Sequence, residues 1–63
     1  MLEDLFLKLG DDLVKLEREK GFMRVYIKSP YAFAEPRYIM DYASNLEGIL
    51  QRAIVLRDKL KNQ

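Results

Sequence analysis

A chain of 63 residues with 49% apolar side chains is long enough for one small domain and too apolar for a disordered segment. It contains no cysteine and no histidine, which excludes disulfides, thiolate metal sites and the commonest general base. The 11 Lys and Arg against 10 Asp and Glu leave a formal charge of +1, which gives no global pull toward nucleic acid or an anionic membrane. A domain of about 60 residues buries only about 60% of its unfolded surface, so a second subunit is the expected support.

The first residues, MLEDLFLKLGDD, have no basic n-region and no small-residue cleavage site. No apolar run reaches the roughly 20 residues of a membrane span. The expectation is a cytoplasmic protein with no membrane contact.

Residues 2–20 are predicted as a first helix. Leu2, Leu5, Leu9, Leu13 and Leu16 recur at helical spacing, and Phe6, Leu7 and Val14 widen the apolar arc. Glu3 and Asp4 suit the positive end of the helix dipole, and Arg18 and Lys20 the negative end. Gly21 suits a left-handed C-terminal cap. Gly10 costs about 1 kcal/mol in a helix interior relative to Ala. It marks a tolerated weak point, a break between two shorter helices, or a close backbone crossing.

Residues 22–28, FMRVYIK, change the period to two. Met23, Val25 and Ile27 alternate with Phe22, Arg24, Tyr26 and Lys28, which predicts a short strand or extended segment. A lone strand needs a partner for its hydrogen bonds: a copy of itself in another subunit, or another protein. Residues 29–35, SPYAFAE, form the connector, and Pro36 is placed to open the next helix.

Residues 36–61 are predicted as one long helix. Ile39, Leu46, Ala53 and Leu60 fall at seven-residue steps, offset by Tyr42, Ile49 and Leu56. That is the a/d pattern of a coiled-coil seam. Ser44-Asn45-Leu46-Glu47 also matches a capping box, which offers an alternative start at Asn45.

No catalytic constellation is present. Ser29 and Ser44 have no base to activate them, the acidic pairs Glu3-Asp4 and Asp11-Asp12 diverge on a helix, and the three glycines are isolated. The expectation is a non-enzyme without cofactor or metal. The aromatics Phe22, Tyr26, Tyr31, Phe33, Tyr38 and Tyr42 gather around the connector with Arg24 and Arg37. They either plug the end of a hairpin or form a docking patch for a larger protein, made by Tyr26, Tyr31, Phe33, Arg37 and Tyr38.

A strand bearing Arg24, Tyr26 and Lys28 on one face, followed by helices, resembles the ribbon-helix-helix family. The segment SNLEGILQRAIVL at 44–56 resembles that family's second helix. The resemblance covers residues 22–60 and implies a DNA-binding regulator whose strands pair across a dimer. The chain departs from the pattern in its long leading helix and in the missing glycine-containing loop.

The favoured architecture is mainly α. It is an antiparallel helical hairpin with a short extended segment between the helices, dimerising into a four-helix bundle. The favoured function is a small homo-oligomeric adaptor or regulator that binds a larger protein, with DNA binding through Arg24, Tyr26 and Lys28 as the alternative.

Overall fold

Leu2–Leu9 form α1, and Gly10 ends it. Gly10 sits at φ 52°, a left-handed conformation that glycine adopts at little cost, and its N–H bonds the Phe6 carbonyl. The computed structural model describes residues 1–29 and 38–62, with Tyr38 and Ile39 described through the backbone alone. After a 3-10 turn at Gly10–Asp12 come the strands β1 (Leu13–Glu19), β2 (Phe22–Lys28) and β3 (Tyr38–Ala43), then the helix α2 (Leu46–Lys61). The strands form one antiparallel sheet in the order β1-β2-β3.

The fold is therefore α+β, and the mainly α hairpin, the coiled coil and the four-helix bundle are all overturned. The expected first helix, residues 2–20, stops at Leu9 because Gly10 turns the chain. The expected long helix, residues 36–61, begins only at Leu46. Asn45 caps it, its side-chain Oδ1 accepting from the Gly48 N–H at 2.8 Å. The extended segment 22–28 is a strand as its period-two pattern predicts, but it needs no second subunit. It is the central strand, paired on both sides within the chain.

A β-bulge explains the helical look of β1. Leu13 opposes Ile27 and Leu16 opposes Val25, so Val14 and Lys15 together span the one step at Tyr26. The extra residue puts two core-facing leucines three positions apart, a spacing that imitates a helix turn. At the other end of β1 the loop Lys20-Gly21 joins Glu19 to its partner Phe22, with Gly21 at φ 87°. The left-handed glycine is where the sequence places it, but it serves a hairpin and not a helix cap.

β3 misleads for a different reason. Ile39, Asp41 and Ala43 pair with Ile27, Val25 and Met23, while Met40 and Tyr42 pair with Tyr26 and Arg24. The alternation is regular, but Asp41 puts a charge among core-facing positions. Arg52 of α2 makes that tolerable with two hydrogen bonds of 3.1 Å to its carboxylate.

The core lies between one face of the sheet and the two helices. Leu9, Met23, Val25, Ile27, Ile49, Leu50 and Ala53 are buried, with Leu5, Leu13, Leu16, Leu46, Ile54 and Leu56 packed around them. Each fully buried large aliphatic among these stabilises the fold by about 1.5–3 kcal/mol relative to exposure. Among the described residues, no helix is long and apolar enough to cross a membrane.

Candidate interaction surface

Both helices pack on one face of the sheet, so the described residues leave the other face uncovered. Strand alternation assigns that face from the sequence: Lys15, Glu17 and Glu19 from β1, Phe22, Arg24, Tyr26 and Lys28 from β2, and Met40 and Tyr42 from β3. Met40 is 49% exposed and Tyr42 47%.

Arg24 organises the centre of this face. Its guanidinium carbon stands 5.4 Å from the Tyr42 ring centre and 6.0 Å from that of Phe22, within reach of cation–π attraction. The two rings meet edge to face at 5.5 Å. One terminal nitrogen donates to the Tyr26 hydroxyl at 3.1 Å and lies 3.5 Å from Glu17. The other is 3.7 Å from Glu19. The Arg24 Nε is shielded from solvent and has no hydrogen-bond partner among the described residues. Lys15 adds a second cation, 5.8 Å above the Tyr26 ring and 3.4 Å from Glu17. The Tyr26 hydroxyl first, then Lys15 and Arg24, outweigh partial burial and hold the Glu17 carboxyl below its usual value. The result is a pre-formed aromatic and mixed-charge surface with few free rotamers at its centre.

Two other polar clusters join elements together. Arg57 of α2 donates to the carbonyls of Lys8 and Leu9 and lies 3.4 Å from Asp12. It thereby satisfies the open carbonyls at the C-terminal end of α1. Lys61 reaches the same Asp12 at 3.3 Å. Along the opposite border, Asp41, Arg52, Val55, Leu56 and Lys59 line an open groove of about 580 Å³ between β3 and α2. No group of three or more acidic side chains among the described residues converges on a cation position.

Of the predicted docking residues, Tyr26 lies on the uncovered face. Tyr38 pairs with Lys28 in the backbone register. Tyr31, Phe33 and Arg37 lie outside the described residues. Arg24, Tyr26 and Lys28 do share one side of β2, as the ribbon-helix-helix resemblance requires. However, β2 has both edges occupied within its own chain, so it offers no ribbon to a second copy. Sequence reasoning missed Glu17, Glu19 and Met40, and it assigned Tyr42 to a helical seam. The alternation Tyr38-Met40-Tyr42 is the signal that points to Met40 and Tyr42.

Compared with known proteins, the chain matches no family, no curated protein and no solved structure.

Proposed function

We infer that this is a small non-catalytic interaction protein that self-associates and presents the uncovered face of its sheet to a larger protein, in the cytoplasm. The observation that carries the reading is the Arg24 cluster. Arginine, tyrosine and phenylalanine lie side by side on a rigid sheet, with Met40 and Tyr42 about half exposed beside them. Tyr and Arg are the residue types that dominate binding energy at interfaces, and a sheet holds them at little entropic cost on binding. The face carries Glu17 and Glu19 among its cations, and both lie against Arg24. That balance suits a mixed protein surface better than a run of phosphates.

The test pairs a pull-down with a gel shift. The Met40→Ala/Tyr42→Ala double variant keeps its circular dichroism spectrum and loses the proteins that the wild type captures in its own cell extract. Equal capture by the variant overturns the reading. The gel shift with duplex DNA is blank. A complex tighter than about 1 μM at physiological salt, beyond the roughly 10⁻⁴–10⁻⁶ M of non-specific binding, replaces the protein partner with nucleic acid.

A further inference from the structure

We propose that a second copy of this chain docks antiparallel on the outer edge of β1, in the register centred on Leu16, to make one continuous six-stranded sheet. The proposal deepens the self-association part of the functional reading and is independent of what binds the uncovered face.

β1 lies at one edge of the sheet, and its outer side has no strand partner among the described residues. An unpaired edge is a template for another strand unless the sequence blunts it. The opposite edge, β3, is blunted in this way. Asp41 puts a charge on its core-facing side and is held there by Arg52. β1 has a core-facing charge of its own, Arg18, but it lies toward the hairpin end opposite Met23. Opposite Val25, where β3 has Asp41, β1 carries a half-buried leucine, Leu16, packed against the core.

Charge order selects the register. A two-fold axis perpendicular to the sheet keeps the helices of both copies on the same side and sets one residue of β1 opposite itself. Centred on Leu16, it puts leucine against leucine on the core side. It also sets Lys15 opposite the partner's Glu17, twice, on the uncovered side. Centred on Lys15, Glu17 or Arg18, it sets like charges face to face, which is unfavourable. A shift by one half-step turns the two core faces to opposite sides of the sheet. The bulge at Val14 and the charge of Arg18 limit the pairing to a short stretch. Together with the blunted β3 edge they give a closed dimer and no open-ended fibre. α2 lies over β2 and β3, and α1 is tied to β1 by a three-residue turn. Val14, exposed at the bulge, lies at the end of the paired stretch.

The experiment uses charge reversal and mixing. Lys15→Glu sets Glu against Glu across the axis, and Glu17→Lys sets Lys against Lys. Each variant alone weakens the wild-type dimer at least about tenfold in sedimentation equilibrium. An equimolar mixture restores a heterodimer of near wild-type affinity, because both cross-axis pairs are again of opposite charge. A fault in folding does not disappear on mixing. Independently, Leu16→Cys places two thiols opposite each other at the spacing of a strand pair, within disulfide reach. The natural chain has no cysteine, so oxidation yields a single defined covalent dimer. A dimer indifferent to both reversals, or a mixture that fails to recover, overturns the register while self-association stands. A wild-type monomer throughout the micromolar range, with no Leu16→Cys cross-link, overturns both.

Discussion

Arg24 and Arg57 are the residues that convert a small core into a defined surface and a closed fold. Arg57 takes up carbonyls that end α1 and an acidic side chain of the 3-10 turn, and its side chain is only 15% exposed. Hydrogen bonds to a charged group are worth about 1.5–3 kcal/mol. Arg57→Ala therefore lowers the unfolding free energy by about that amount in urea titration, and Arg57→Lys recovers only part of it. At the sheet face, the Tyr26 hydroxyl is the largest influence holding the Glu17 carboxyl low. Tyr26→Phe raises the Glu17 pKa toward its usual value, readable by NMR titration of the Glu17 side chain. Because the folded value lies below the unfolded one, the stabilisation is present above the usual carboxylate pKa. It is lost as pH falls through the folded value. The phenylalanine variant shows a weaker dependence over that acidic window.

At the scale of elements, local signals are strong where one residue type has one structural use. Asn45 accepts from the Gly48 N–H and sits in an extended conformation at the start of α2. Asn45→Ala costs about 1 kcal/mol, within the 0.5–2 kcal/mol known for such caps. Gly21 occupies φ 87° with open space around its Cα. Gly21→Ala therefore destabilises through backbone strain alone, by about 1–2 kcal/mol. The hairpin amides of β1 and β2 then exchange faster with solvent. The same elements show where local signals fail. Leu, Lys, Glu and Arg dominate β1, all good helix formers, and the bulge at Val14 supplies a helical spacing.

For the whole molecule, stability rests on one shared layer. Ile49 and Leu50 of α2 are fully buried against β2, and the strand cannot keep its face dry without them. Ile49→Ala costs about 2–5 kcal/mol. For a domain whose total is on the order of 5–15 kcal/mol, this appears as a large fall in the thermal midpoint and a loss of cooperativity. The Asp41–Arg52 pair contributes less, about 0.2–1 kcal/mol, because Arg52 is 60% exposed. Its role is to make a charged residue acceptable at the sheet edge.

The sequence by itself determined the strand at 22–28, the left-handed position at Gly21, the apolar face of the helix from Leu46 onward and the cap signal around Asn45. Each depends on interactions within a few residues. The fates of residues 13–20 and 38–43 were decided by tertiary structure. Both carry periodicities that fit a helix as well as a strand, and β2 resolves the ambiguity. Its exposed backbone groups on both sides require partners, and the two flanking segments are the ones within reach. The uncovered face follows from the same pairing. Glu17, Arg24 and Tyr42 are far apart in a hairpin of helices. They meet only because two strands align them across β2.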